Sequence, residues 1–113
     1  MITIYHNPRC SKSRECTLFF ETSGRDVAIV NYMKTPFTIT SLSELITLLD
    51  VNPIELVRTN EKIWKESYKG KKLSDAAIIK AMVCEPKLIQ RPIVVHGKKA
   101  VIARPLDRVN EIT

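Results

Sequence analysis

The stretch ITIYHNPRCSKSRE, residues 2–15, decides how this chain folds, because it changes from the pattern of a strand to that of a helix. Its first part, Ile2–His6, alternates apolar and polar side chains and is rich in β-branched residues, which predicts a strand. Asn7 and Pro8 form a pair that ends this strand. Cys10 is therefore expected where a strand turns into a helix.

A helix is predicted over about residues 11–23. Cys16, Phe19 and Phe20 repeat at i, i+3 and i+4, the spacing of one buried helical face. The segment VAIVNY, residues 27–32, predicts a second strand. A strand, a helix and a strand in this order form a βαβ unit, in which the two strands are parallel and the crossover is right-handed.

The middle of the chain is predicted to be helical. Ser41 and Glu44 have the spacing of a capping box. Asn52 followed by Pro53 predicts the start of a short helix, and another helix is expected to begin near Ser74. The residues predicted to face inward are Leu42, Leu45, Ile46, Leu49, Ile78, Ile79 and Met82.

Near the C-terminus, IVV at 93–95 and VIA at 101–103 predict two strands joined by a short hairpin turn at 96–99, in which His96 is solvated. A final helix is expected over about residues 105–112. The element order predicts an α/β fold with a mixed four-stranded sheet covered by helices.

Length and composition restrict the class of protein. With 113 residues and 44% hydrophobic content, the chain is predicted to form one domain, 1–113, with a helical insertion at about 38–85. No signal-peptide pattern and no apolar run of about 20 residues are present, so no membrane association is expected. Three cysteines without clustered histidines predict neither a disulfide framework nor a metal site, but free thiols in a reducing cytoplasm.

The chain carries 18 basic and 12 acidic residues, a formal net charge of +6. Such a charge is compatible with an anionic substrate, an acidic partner or nucleic acid. The densest basic stretch, KGKKL at 69–73, contains a glycine and no interleaved aromatic residue, which indicates a solvated loop. Nucleic-acid binding is therefore only a minor alternative.

Cys10 is predicted to lie at the N-terminal end of the first helix. Unpaired backbone N–H groups and the positive end of the helix dipole would lower its pKa below the ordinary value of about 8.5, giving a nucleophilic thiolate. The same N–H groups can bind a tetrahedral oxyanion. The site is expected to be exposed and electropositive, because polar or turn-forming residues flank it: Pro8, Arg9, Ser11, Lys12, Ser13 and Arg14.

Two familiar cysteine motifs are absent. A CxxC redox site needs a cysteine where Ser13 stands, and a phosphatase C-x5-R loop needs an arginine where Cys16 stands. What remains is CSKS, a CxxS monothiol motif, which must take its second thiol from another molecule such as glutathione. Cys16 and Cys84 are both predicted to be packing residues.

YHNPRCSKSRE after the first strand, RPIVV before the hairpin and ARP after it resemble the arsenate reductase family coupled to glutathione and glutaredoxin. The resemblance covers essentially the entire chain and implies a thioredoxin-like fold with an inserted helical segment. It implies that Cys10 attacks arsenate while Arg58, Arg91 and Arg104 hold the oxyanion. It also implies a cis peptide bond between Arg91 and Pro92.

The resemblance further implies a supporting role for His6, which would help to lower the thiol pKa, although a purely structural role stays open. Ser13 could donate its hydroxyl to the thiolate or cap the helix, and Arg14 is a further supporting residue of the loop. The implied partners are arsenate or a similar oxyanion, glutathione as co-substrate, and glutaredoxin. No bound cofactor is expected.

The sequence departs from the HNPACGTSR loop of the best-known family members at Arg9, Ser11 and Lys12. The leading hypothesis is reduction of arsenate to arsenite. One alternative is a glutathione-dependent oxidoreductase acting on another oxyanion or on mixed disulfides. A second is a regulatory module that binds RNA polymerase, although such proteins usually carry CxxC, and Ser13 argues against a dithiol switch.

Overall fold

A computed structural model describes all 113 residues. The strands are β1 (Ile2–His6), β2 (Val27–Asn31), β3 (Ile93–His96) and β4 (Lys99–Ile102), and the α-helices are α1 (Ser11–Thr22), α2 (Ile39–Leu49), α3 (Lys62–Ser67) and α4 (Asp75–Cys84). Three 3₁₀ helices cover Pro53–Leu56, Pro86–Leu88 and Leu106–Glu111. None of the helices is long and apolar enough to cross a membrane.

The chain divides into two compact units. The first consists of Met1–Thr35 and Arg91–Thr113, and the second is Pro36–Gln90. The predicted helical insertion at about 38–85 lies inside the second unit. The interpretation of the whole chain as one domain stays a prediction.

The first unit contains the sheet, with strand order β2-β1-β3-β4. β1 and β2 are parallel, with Ile4 opposite Ile29, whereas β3 is antiparallel to both of its neighbours. The predicted mixed four-stranded sheet and the parallel βαβ pair are therefore confirmed. Gly97 adopts φ +64 in the turn between β3 and β4, a conformation that favours glycine.

The core of the first unit lies between the sheet and α1. It consists of Ile2, Ile4, Cys16, Phe20, Val94, Val101, Ala103 and Val109. Core packing of Cys16 is confirmed, but the predicted burial of Phe19 is wrong, since this side chain is 44% exposed. The buried face is instead formed by Ser13, Cys16 and Phe20, and each helical residue is rotated by about 100° from the next, which turns Phe19 outward.

The C-terminal segment is the predicted final helix in its tighter 3₁₀ form, with Val109 buried. It folds back towards the end of β3, where the Ile112 carbonyl oxygen lies 2.7 Å from Nδ1 of His96. The prediction that His96 is solvated is therefore wrong, because the end of the chain supplies a hydrogen-bond partner that spacing along the sequence could not indicate.

In the second unit, the N-cap residue of α2 lies three residues before the predicted capping residue, Ser41. Thr38 is the N-cap: its Oγ1 accepts from the Ser41 N–H, and its own N–H donates to Ser41 Oγ. The predicted Ser41 and Glu44 box is therefore wrong, because Ser41 occupies the third helical position. The predicted apolar face is confirmed, with Leu42, Leu45, Ile46 and Leu49 all buried.

The predicted helix after Ser74 is confirmed, with Ser74 Oγ accepting from the Ala77 N–H. Ile78 and Met82 are buried, while Ile79 is only half-buried. The predicted packing of Cys84 is wrong: at about 100° per residue it points away from the buried face and is exposed.

Two further features complete this unit. The short helix α3, which buries Trp64, was not predicted. The KGKKL stretch is the exposed loop that its composition predicts.

Candidate active site

Cys10 is the N-cap residue of α1, with extended backbone angles of φ −97 and ψ 122. Its N–H donates to the Asn7 carbonyl at 3.0 Å, and its carbonyl accepts the first helical hydrogen bond, from the Arg14 N–H at 3.0 Å. These two bonds fix the turn that ends β1 and starts α1. The thiol consequently lies at the end of the helix where N–H groups have no intrahelical partner.

The predicted exposure of Cys10 is wrong, because only 9% of the residue is accessible. The flanking residues Pro8, Arg9, Ser11, Lys12 and Arg14 are exposed as expected. The thiol itself lies beneath them, near the helix N-terminus and Arg91. A reagent must therefore reach it through a restricted opening.

Burial on its own would raise the pKa of the Cys10 thiol, since it disfavours the charged form. The N–H of Ser13, the charge and side-chain N–H of Arg91, and the N–H of Lys12 act in the opposite direction. Together they outweigh burial, and the pKa of Cys10 lies below its ordinary value. A larger fraction of this thiol is therefore ionised at neutral pH.

Ser13 ties the end of β1 to the first turn of α1. It is completely buried, and its Oγ lies 2.6 Å from Nδ1 of His6 and accepts from the Asn7 N–H at 3.0 Å. The prediction that its hydroxyl donates to the thiolate or caps the helix is therefore wrong, because the hydrogen-bond partners of this hydroxyl are His6 and Asn7. It is the backbone N–H of Ser13 that forms a hydrogen bond with the Cys10 sulfur.

His6 and Arg14 lie on either side of the turn that joins β1 to α1. Burial, followed by the positive charge of Arg14, lowers the pKa of His6, so its imidazole is neutral at neutral pH. Nη1 of Arg14 donates to the Pro8 carbonyl at 2.8 Å and closes the loop that precedes Cys10. His6 therefore supports this loop through Ser13.

Two of the three predicted arginines lie with Cys10. Arg91 is beside the sulfur, and Nη1 of Arg104 donates to the Arg91 carbonyl at 3.4 Å. The Nε–H of Arg91 is buried without a hydrogen-bond partner, so it is free to donate to a bound group. The cis peptide bond between Arg91 and Pro92 is confirmed, and a second one, not predicted, joins Arg104 and Pro105.

Arg58 belongs to the second unit. Its Nη1 forms an ion pair with Oε1 of Glu61 at 2.6 Å and donates to the Lys87 carbonyl at 3.3 Å. These contacts hold the guanidinium in a defined position, and its predicted role in binding an oxyanion stays a prediction.

A cleft of about 340 Å³ opens beside this corner. It is lined by Lys12, Glu15, Ala103, Arg104, Pro105 and Leu106. Nζ of Lys12 lies 3.8 Å from Oε2 of Glu15. From the sequence, Lys12 was identified as a polar residue that flanks Cys10 and as a departure from a family pattern, whereas Glu15 was missed, although the i, i+3 spacing of opposite charges was a usable signal.

Cys16 differs chemically from Cys10. It is completely buried, and burial raises the pKa of its thiol to about 11. No group of three or more His, Cys, Asp or Glu side chains is arranged to hold a metal ion. The site in the first unit therefore consists of one thiol of lowered pKa, two nearby guanidinium groups and a cleft.

A family model described as the ArsC family matches residues 5–112. This chain belongs to the ArsC family. The match confirms the resemblance on which the site residues were predicted, and it covers both the Cys10 loop and the segment that contains Arg91 and Arg104.

Three of the proteins that this chain resembles align with it over nearly their whole length. The chain is 44% identical to the uncharacterized protein YfgD of Escherichia coli, with 98% of this chain and 95% of that protein aligned. It is 35% identical to the arsenate reductase of Haemophilus influenzae, over 98% and 97% of the two chains. A solved arsenate reductase from Vibrio cholerae superimposes with a TM-score of 0.93 at 39% identity, covering 99% and 97%. The predicted thioredoxin-like α/β fold is confirmed.

Proposed function

We propose that this member of the ArsC family reduces arsenate to arsenite, with Cys10 as the nucleophile and with glutathione and glutaredoxin as the source of electrons. The observation that carries the proposal is the Cys10 thiol of lowered pKa beside Arg91, whose buried Nε–H has no partner in the protein. Relatives named arsenate reductases at 35% and 37% identity support the choice of oxyanion.

In the first step the thiolate of Cys10 attacks arsenic(V). A sulfur–arsenic bond forms, an arsenic–oxygen bond breaks, and the departing oxygen leaves as water after taking up a proton. The Nε–H of Arg91 donates to an arsenate oxygen, and Arg104 adds a second guanidinium, since planar guanidinium groups match the geometry and charge of an oxyanion. Arg58 is proposed as the third arginine on the strength of the family resemblance alone.

Glutathione then displaces a second water and gives an adduct in which arsenic carries both sulfurs. A glutaredoxin thiol attacks the glutathione sulfur, the electrons of the arsenic–sulfur bond pass to arsenic, and arsenic(V) becomes arsenic(III). Water finally replaces Cys10 on arsenic(III), releasing arsenite and the free thiol. In total, arsenate and two thiols give arsenite, one mixed disulfide and one water, so atoms and electrons balance.

An outside thiol is proposed because the nearest candidates on α1 are unsuitable. Ser13 stands where a CxxC site has its second cysteine, and Cys16 is buried with a pKa of about 11. A thiol of such high pKa carries almost no thiolate at neutral pH, so it is a poor attacking group. A reducing cytoplasm rich in glutathione is the compartment that this cycle requires.

The test is NADPH oxidation in the presence of glutathione, glutaredoxin and glutathione reductase, measured with and without arsenate. Arsenate-dependent oxidation that disappears in Cys10→Ser supports the proposal. A parallel reaction with hydroxyethyl disulfide in place of arsenate tests the alternative substrate class of mixed disulfides. If hydroxyethyl disulfide is consumed in a Cys10-dependent way and arsenate is not, the chain is a disulfide reductase and the proposal is wrong.

A further inference from the structure

Two of the residues that line the cleft, Lys12 and Arg104, connect it to the surroundings of the Cys10 thiol. The N–H of Lys12 acts on the Cys10 sulfur while the Lys12 side chain lines the cleft. Arg104 also lines the cleft and donates to the carbonyl of Arg91, a residue whose side chain acts on the same sulfur. A molecule held in the cleft would therefore lie near Cys10.

The charges of the cleft are available to a ligand. Lys12 and Glu15 are 3.8 Å apart and their side chains are 58% and 56% exposed, so the pair contributes little to stability and opens readily. The Arg104 side chain is also exposed. The other residues that line the cleft, Ala103, Pro105 and Leu106, are less polar.

This pattern does not suit a simple inorganic anion. An anion would be attracted by Lys12 and Arg104 but repelled by Glu15, which shares the cleft. A ligand that carries both signs of charge can use all three groups. The cleft volume of about 340 Å³ lies within the range of roughly 300–1,000 Å³ typical of small-molecule sites.

Glutathione has this distribution of charge, with a carboxylate at each end, an ammonium group on its γ-glutamyl end and a thiol between them. The geometry points to this cleft as the glutathione subsite, in which Lys12 binds a carboxylate, Glu15 binds the ammonium group, and the thiol faces Cys10. The inference rests on the proposed function, because it gives a place to the outside thiol that the proposed cycle uses.

The subsite can be tested by binding alone, with S-methylglutathione as a redox-inert probe and with amide chemical shifts of the full chain as the readout. We expect saturable shifts in residues that line the cleft. Lys12→Gln should weaken binding about three- to tenfold, the range for one partly exposed charge-assisted hydrogen bond. Lys98→Gln is the matched control, because it removes the same charge from the exposed hairpin turn, at the other end of β3 and β4, and should change nothing.

Glu15→Gln extends the test to the ammonium group. It should weaken binding of S-methylglutathione but leave unchanged the binding of the analogue that lacks the α-amino group. Shifts outside the cleft, or equal effects of Lys12→Gln and Lys98→Gln, would overturn the subsite. If S-methylglutathione binds in the cleft with the expected pattern but arsenate is not reduced, the subsite is supported and the proposed function is refuted. If arsenate is reduced but S-methylglutathione does not bind in the cleft, the proposed function is supported and the subsite is refuted.

Discussion

Two thiols on α1 lie less than two helical turns apart, and their surroundings move their pKa values in opposite directions. Cys10, at the N-terminal end of the helix, has a lowered pKa, whereas burial raises the pKa of Cys16 to about 11. Both residues are largely shielded from solvent, with 9% and 0% of their surfaces exposed. Burial alone therefore does not explain why the pKa of one thiol is lowered and that of the other is raised.

The two pKa values differ because only one of the two thiols has groups around it that stabilise a buried thiolate. At the end of the helix, free N–H groups and the guanidinium of Arg91 stabilise the thiolate of Cys10. Cys16 belongs to an apolar core with Phe20 and Ile4, where nothing stabilises a negative charge. One helix thus has a thiol of lowered pKa at its N-terminal end and a packing residue on its buried face.

The largest expected effect comes from removing the nucleophile. Cys10→Ser should lower arsenate-dependent turnover by at least about 1,000-fold, because a serine hydroxyl is scarcely ionised at neutral pH and removal of a nucleophile typically costs this much or more. The measurement is the coupled NADPH assay at saturating glutathione. Far-UV circular dichroism of the variant should match that of the parent.

Cys84→Ser is the matched control for this prediction, since Cys84 is an exposed thiol and the replacement is the same. It should retain full turnover. If Cys84→Ser and Cys16→Ala were as inactive as Cys10→Ser, a relay among several cysteines would replace the single-nucleophile interpretation.

The next largest effect should come from Arg91, which stabilises the thiolate by its charge and by its side-chain N–H. Arg91→Ala should raise the pKa of Cys10, so that less thiolate is present at pH 7. We expect alkylation of Cys10 by iodoacetamide at pH 7 to slow severalfold, since iodoacetamide reacts with the thiolate and a smaller fraction of the thiol is ionised. The rate should recover as the pH rises.

Arg9→Ala provides the comparison for Arg91, because Arg9 is an exposed arginine next to Cys10 for which no interaction with the sulfur is found. It should leave the pH profile of alkylation nearly unchanged. Equal slowing in the two variants would show that net positive charge, rather than the position of Arg91, lowers the thiol pKa.

Most helices and strands of the fold were predictable because each has a recognisable pattern in the local sequence. β1 and the position of Cys10 at the start of α1 followed from a change in periodicity across Asn7 and Pro8. The predictions that proved wrong depended on contacts far along the chain or on the exact phase of a helix. His96 found its partner at Ile112, and Phe19 lies one position away from the buried face.

Less of the site than of the fold could be predicted from local pattern. Arg91 and Arg104 are distant from Cys10 in sequence, and an arginine at the end of a strand is usually solvated, so only the family resemblance singled them out. The cleft with Lys12 and Glu15 was missed, because it exists only where α1 meets the segment after β4. The helix α3 was missed because six residues carry too little periodicity.

A smaller effect is expected from Ser13, which joins β1 to α1 without contributing its hydroxyl to the thiolate. Ser13→Ala removes the group that accepts from the Asn7 N–H and bonds to His6, leaving both without a partner in a buried corner. We expect a loss of about 1–2 kcal/mol in the free energy of unfolding, the usual cost of unpaired buried polar groups. Urea unfolding measures it, and Ser11→Ala, at an exposed position on the same helix, should cost less than about 0.5 kcal/mol.

The smallest effect at neutral pH is expected from Cys16→Ala, and the pH dependence of its stability separates the two thiols most directly. Burial raises the pKa of the Cys16 thiol to about 11, above the ordinary value of about 8.5 that it has in the unfolded chain, so its stabilising contribution is present below about pH 8.5 and is lost as the pH rises through 11. The alanine variant should lose about 1 kcal/mol at pH 7, where a small buried side chain has been removed, and this difference from the parent should shrink above about pH 9 and reverse in sign before pH 11, because each unit of pKa corresponds to about 1.4 kcal/mol. Urea unfolding of both proteins across this pH range measures it, with Cys10 and all other titrating groups common to the pair. A difference that stays constant up to pH 11 would mean that Cys16 ionises as readily inside the fold as outside it, and the contrast with Cys10 would then no longer rest on the burial of Cys16.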